Sequence, residues 1–155
     1  MSPSELELFH LIKTAALFLF ALCAAVQDLR RRSILLWTFL LFLIPGLLAA
    51  FVRLFVLGEG SSAALALLPG LFALFLAKPG IGLLGLGDAF YLLLAACYLT
   101  PRELLWMLFA GILFCGVWAL FLQCFGMLSG RDFRKYRLPF AVFLFPAVCM
   151  VLFFI

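Results

Sequence analysis

Apolar residues fill six long stretches of the chain, and short polar segments separate them. Polar and apolar residues do not alternate inside these stretches, as they would in the strands of a membrane barrel, so each stretch predicts an α-helix. About 20 such residues cross a hydrocarbon layer roughly 30 Å thick. The pattern predicts an all-α integral membrane protein, a six-transmembrane-helix bundle, with residues 1–155 as one domain and spans at about 8–27, 34–57, 62–77, 86–101, 103–124 and 138–155.

The composition excludes a soluble domain. Hydrophobic residues make up 68% of the chain and charged residues 12%, and the mean hydropathy is +1.31. Soluble domains are roughly 45–50% apolar and about 25% charged. No cysteine lies in a C-x-x-C pair, so we expect neither a metal site nor disulfides, but five small packing residues: Cys23, Cys97, Cys115, Cys124 and Cys149.

The distribution of cations predicts the orientation. Glu5 and Glu7 precede the first apolar stretch, and the basic cluster at 30–32 follows it, so we expect an external N-terminus. Six spans then place 28–33, 78–88 and 125–137 in the cytoplasm and the C-terminus outside. Eight cations lie inside and three outside, as the positive-inside rule requires: Arg30, Arg31, Arg32, Lys78, Arg131, Arg134, Lys135 and Arg137 against Lys13, Arg53 and Arg102.

Two aspartates lie at the predicted cytoplasmic edge of the bilayer. Asp28 ends the first span and Asp88 begins the fourth, where an ionised carboxylate is costly unless it faces water or shares a proton. Small residues at Ala21, Ala24 and Ala25 share a helical face with Asp28, which predicts that it faces the bundle. The third aspartate, Asp132, lies among cations in a polar loop and is expected to be a solvated surface charge.

Glycines precede Asp88 at 80, 82, 85 and 87. They predict a bend in the chain rather than a regular helix. The same stretch formally matches the G-x-G-x-x-G dinucleotide pattern, but that pattern is informative only between a strand and a helix, and no βαβ unit is expected.

Two carboxyls on helices that end on the same membrane side can converge. Repulsion between the two negative charges then leaves the pair with one proton near neutral pH, so that one member acts as base and the other as acid toward water. The alternative is structural: Asp28 caps a turn beside the arginines, and Asp88 N-caps the fourth helix. The local chemistry favours neither interpretation over the other.

Three segments together resemble the prepilin peptidases, a family of polytopic aspartyl proteases. Gly85-Leu86-Gly87-Asp88 resembles their G-x-G-D motif, and the segment 24–34, with Asp28 followed by basic residues and Ile34, resembles their other catalytic segment. Arg137-Leu138-Pro139-Phe140 resembles the Pro-Phe that opens their last helix. The order and spacing agree along essentially the whole chain.

The resemblance implies a membrane aspartyl endopeptidase that removes the leader from type IV prepilin-like or pseudopilin substrates at the cytoplasmic membrane face. It implies Asp28 and Asp88 as catalytic residues, Gly85 and Gly87 in the active-site loop, and no cofactor. The chain resembles the short members without the cysteine-paired insertion, so no methyltransferase activity is expected. It departs from the common pattern at Leu35, Leu36 and Phe90, and at Ala141-Val142.

The expected partners are a prepilin or pseudopilin and the anionic head groups of a prokaryotic cytoplasmic membrane. Such leaders are themselves basic, so the cations at 30–32 and at 131, 134, 135 and 137 are expected to contact lipid rather than substrate. No nucleic-acid partner is expected. Two other functions remain open: a small proton- or ion-coupled transport protein that uses the same acids, and a catalytically silent assembly factor for a pilus or secretion system.

Overall fold

Helices make up nearly all of the structure. The computed structural model of the protein describes residues 2–31, 36–78, 85–129 and 140–154. A π-helical turn, Val52–Val56, continues the second helix. The predicted all-α class is confirmed for the described residues, in which the helices are α1 (Pro3–Arg31), α2 (Leu36–Phe51), α3 (Gly60–Leu76), α4 (Leu86–Tyr98), α5 (Pro101–Ser129) and α6 (Phe140–Phe154).

Three of these segments are long and apolar enough to cross a membrane: Pro3–Arg31, Leu36–Val56 and Pro101–Phe125. The apolar helices α3, α4 and α6 have 17, 13 and 15 residues, fewer than the roughly 20 that a perpendicular span needs. The predicted fourth span is too long because Leu99 is extended and Pro101 disfavours helix at the residue before it. The structure therefore supports a helical membrane protein.

Large apolar side chains cover the outside of the helices. On α5, for example, Phe109, Val117 and Leu120 are each about 60% exposed. A contiguous apolar exterior of this kind is costly in water but suits contact with lipid chains. The surface thus agrees with the class that the composition predicts.

Small residues let the helices approach closely. Ala21 and Ala24 of α1 are fully buried. A Cβ added to Gly70 of α3 would lie 2.8 Å from the Cα of Leu93 on α4, and one added to Gly111 of α5 would lie 2.6 Å from Leu144 on α6. This is the packing that membrane helices use when burial of apolar surface cannot drive their association.

Polar contacts give the directions of two packed pairs of helices. At one end, Asp28 near the end of α1 meets Ala141 at the start of α6, so α1 and α6 run in opposite directions; we call this the aspartate end. At the other end, Arg53 after α2 meets Leu99 after α4, so α2 and α4 run in the same direction; we call this the arginine end. These directions agree with the predicted order of the loops.

Two of the five cysteines are more exposed than the sequence predicts. Cys97, Cys115 and Cys149 are half-buried, but Cys23 and Cys124 are exposed. The prediction that all five are packing residues is therefore wrong for these two, which lie on outward faces of α1 and α5. A thiol is weakly polar, so an outward position in an apolar exterior carries little cost.

Candidate active site

Asp28 faces the interior of the bundle, as the alanine spacing predicts. It lies in the last turn of α1 and is 8% exposed, with Ala21, Ala24 and Ala25 also buried. Its Oδ2 accepts a hydrogen bond from the backbone N–H of Ala141 at 3.0 Å. A buried carboxyl at this position therefore has a specific polar partner.

That partner belongs to the first turn of α6. Ala141 is the second residue of this helix, and N–H groups at this position have no acceptor within their own helix. Asp28 thus caps a helix that lies 113 residues further along the chain. The alternative interpretation placed Asp28 as the cap of a turn beside its own arginines; residues 32–35 of that turn lie outside the described residues, and the acceptor that the structure shows is used by α6.

Asp88 is the third residue of α4 and is half-buried. Gly85 is the N-cap residue, and its carbonyl accepts from the N–H groups of Asp88 at 3.1 Å and Ala89 at 3.2 Å. The alternative that Asp88 N-caps this helix is therefore wrong. Its carboxyl remains available for a role other than capping.

The two aspartates come from different helices, and both lie at the aspartate end. The negative charge of Asp28 acts electrostatically on Asp88, and α1 packs against α4, α2 and α6. The structure thus places the two acids that the sequence pairs at the same end of the bundle, within range of an electrostatic interaction. Two carboxyls in such an arrangement can hold one proton between them.

The two motif glycines have different surroundings. A Cβ added to Gly85 would lie 3.1 Å from Oδ2 of Asp88, whereas one added to Gly87 would meet no atom within 4 Å. Gly87 lies inside α4, so the expected bend at this position is wrong. Gly85, in an extended conformation, leaves space for the Asp88 carboxyl. Gly80 and Gly82 lie outside the described residues.

The structure describes only some of the predicted basic and motif residues. Arg30 and Arg31 are exposed at the end of α1, and Phe140 begins α6. The structure does not describe the remaining members: Arg32, Leu35, Arg131, Asp132, Arg134, Lys135, Arg137 and Pro139.

A hydrogen bond beside Asp28 joins α1 to α2. The amide Nε2 of Gln27 donates to Oγ1 of Thr38 at 2.6 Å, and Thr38 is buried. The sequence analysis assigned no role to Thr38. The available signal was that Gln27 and Thr38 are polar residues inside apolar stretches, one on each side of the same short loop.

Tyr91 is a second feature that the sequence analysis missed. Its side chain is fully buried and its ring lies 4.9 Å from that of Phe20, yet among the described residues its hydroxyl has no hydrogen-bond partner. Buried hydroxyls nearly always have one. Tyr91 lies three residues after Asp88, so it shares a face of α4 with the candidate site.

An apolar groove runs between α2 and α4, which both begin at the aspartate end. Its volume is about 350 Å³, and its lining includes Leu36 and Phe39 on one side and Phe90 and Leu93 on the other. Leu36 and Phe90 are two of the positions where the sequence differs from the prepilin peptidase pattern that it resembles. These two residues line the same groove, although 54 residues separate them in the sequence (90 − 36).

A second polar cluster lies at the arginine end. Arg53 is 2% exposed, donates to the carbonyl of Leu99 at 2.7 Å and pairs with Glu59 at 3.3 Å. Lys13 and Glu103 interact electrostatically with this cluster. Arg53 was predicted only as an external charge, but it joins the π-helical turn to the start of α3 and the end of α4.

Comparison with protein-family models, with characterised proteins and with solved structures gives no match for this chain. The site must therefore be interpreted from its own residues. Among the described residues, no group of three or more His, Cys, Asp and Glu side chains is placed to hold a metal ion.

Proposed function

We propose that the protein is a membrane aspartyl endopeptidase in which Asp28 and Asp88 activate one water molecule. The observation that carries this proposal is that two acids from different helices lie at one end of an apolar bundle, within range of an electrostatic interaction. Acids in such surroundings are rare and usually functional. One carboxylate takes a proton from water while the other supplies a proton to the peptide bond.

The lengths of the helices support a site at the depth of the membrane. The 13 residues of α4 rise about 20 Å, less than the roughly 30 Å of a hydrocarbon core. In the six-span arrangement that we propose, Asp88 at the start of α4 therefore lies near or below the membrane surface. A peptide bond next to a membrane helix lies at this depth.

The substrate class comes from the resemblance to the prepilin peptidases. We propose a pilin-like protein with a leader that ends in glycine before an apolar helix, cleaved at the cytoplasmic face of a prokaryotic cytoplasmic membrane. The apolar groove between α2 and α4, whose lining includes Phe90 two residues after Asp88, suits an apolar segment next to the cleaved bond. The exposed Arg30 and Arg31 would contact anionic lipid.

Cleavage by the purified protein tests this proposal. A pilin-like substrate with such a leader is incubated with the protein in detergent or bilayers, and the products are identified by mass. The proposal predicts two fragments divided after the glycine. An intact substrate would instead favour the transport protein or the silent assembly factor, and those two are separated by whether a proton gradient decays in vesicles that contain the protein.

A further inference from the structure

The two aspartates of the site have unequal hydrogen bonding. Asp28 is 8% exposed and accepts an N–H from the first turn of α6 at 3.0 Å. An N–H group forms a stronger hydrogen bond with an ionised carboxylate than with a neutral carboxylic acid. This hydrogen bond favours the ionised form of Asp28, against the burial of the side chain, which favours the neutral form.

Asp88 lies in the first turn of its own helix, α4, but within the described residues its carboxyl lacks an equivalent hydrogen bond. Its own N–H and that of Ala89 are both used by the carbonyl of Gly85. Among the described residues, no hydrogen bond to the carboxyl of Asp88 is formed. The charge of Asp28 acts on it as well, and a second negative charge nearby is unfavourable.

We propose that, in the resting protein, Asp28 is the ionised member of the pair and Asp88 carries the proton. This deepens the proposed function, on which its catalytic meaning rests, because it assigns the two roles. Asp28 is then the base that accepts a proton from water, and Asp88 is the acid.

The proton transfers balance over one cycle. The water oxygen bonds to the peptide carbonyl carbon while one water proton passes to Asp28 and the proton of Asp88 passes to the carbonyl oxygen. The carbon–nitrogen bond then breaks as Asp28 gives its proton to the leaving nitrogen. Asp88 takes a proton back from a hydroxyl of the intermediate, which restores the resting state.

The sequence allows each aspartate to be observed separately in the unaltered protein. Asp28 precedes Leu29, Asp88 precedes Ala89 and Asp132 precedes Phe133. The dipeptides Asp-Leu, Asp-Ala and Asp-Phe each occur only once in the sequence. Carbon-13 aspartate combined with nitrogen-15 leucine, alanine or phenylalanine therefore assigns each carboxyl carbon by nuclear magnetic resonance. The full chain is studied in hydrated bilayers at neutral pH, without substrate.

The expected spectrum has the carboxyl carbon of Asp88 shifted upfield to the protonated position. Asp28 gives the ionised position, matching the control Asp132, which the sequence predicts to be a solvated charge. A protonated Asp28, or an ionised Asp88, overturns the assignment. Because no substrate is present, the result is independent of cleavage: an inactive protein with this proton arrangement refutes the peptidase alone, and an active protein with the proton on Asp28 refutes the assignment alone.

Discussion

Gly85 and Gly87 flank Leu86 at the start of α4, yet only Gly85 contacts the site. A Cβ at Gly85 would lie 3.1 Å from the Asp88 carboxyl, so Gly85→Ala displaces that carboxyl by a few tenths of an ångström. We expect a loss of cleavage rate of about tenfold or more, since small misplacements of catalytic groups cost this much. Initial rates with the purified variant measure it.

Gly87→Ala is the matched control. Its Cβ meets no atom within 4 Å, and alanine stabilises a helix relative to glycine by roughly 0.5–1 kcal/mol. We expect normal cleavage and equal or greater thermal stability. Equal losses of activity in the two variants would contradict the role that the structure gives to Gly85.

Sequence spacing was sufficient to orient Asp28 but not to find its partner. Three alanines on one helical face predicted an inward carboxyl, because helical periodicity is a local property. The N–H of Ala141 could not be predicted, since any residue except proline offers such a donor and only the tertiary packing selects one. The bend expected at Gly87 failed for a related reason: a glycine permits a bend but does not require one.

At the scale of helices, Gly70 sets the distance between α3 and α4. A Cβ there would lie 2.8 Å from the backbone Cα of Leu93, which cannot rotate away. Gly70→Ala is expected to lower the free energy of unfolding by about 1–3 kcal/mol through overpacking. Thermal unfolding in detergent measures the change. Gly116→Ala on α5, with open space around it, should be neutral or stabilising, and a similar loss in both variants would contradict this account.

Arg53 stabilises the arginine end through contacts with the start of α3 and the end of α4. Arg53→Gln removes the charged hydrogen bond to the Leu99 carbonyl and the ion pair with Glu59. Glu59 is 42% exposed and thus partly screened, so we expect a loss of about 2 kcal/mol, mainly from the unpaired buried carbonyl.

The exposed Arg102 provides the comparison for Arg53. Arg102→Gln should change the free energy of unfolding by less than about 0.5 kcal/mol. Denaturant titration in the same detergent compares the two variants. Equal stability of Arg53→Gln and the wild type would show that the arginine cluster has no structural role.

The apolar stretches predicted which segments form helices, but they did not predict where those helices begin and end. The predicted segment 62–77 nearly coincides with α3, whereas α1 and α5 continue several residues into their polar flanks. Apolar patterning reports what contacts lipid, and a helix continues into water wherever its backbone hydrogen bonds remain satisfied. Arg53 was missed for the same reason, since a charge at a helix end is indistinguishable in sequence from a solvated one.

At the scale of the whole molecule, the charge distribution predicts that the aspartate end of the bundle faces the cytoplasm. In a variant without native cysteines, a thiol at Ser129 should resist an impermeant reagent in intact cells and react after lysis. A thiol at Ser61, exposed at the opposite end of the bundle, should react in intact cells. Reaction at position 129 in intact cells would reverse the orientation and the proposed side of cleavage.

The aspartate pair is tested most directly by the cleavage rates of three asparagine variants. Asn keeps the size of Asp and can still accept the N–H of Ala141, but an amide cannot take a proton from water or return one. Asp28→Asn and Asp88→Asn should each lower the rate by about 10²- to 10⁴-fold, with Asp132→Asn close to the wild type. Near-normal cleavage by either of the first two variants, at matched expression, would contradict the aspartyl mechanism.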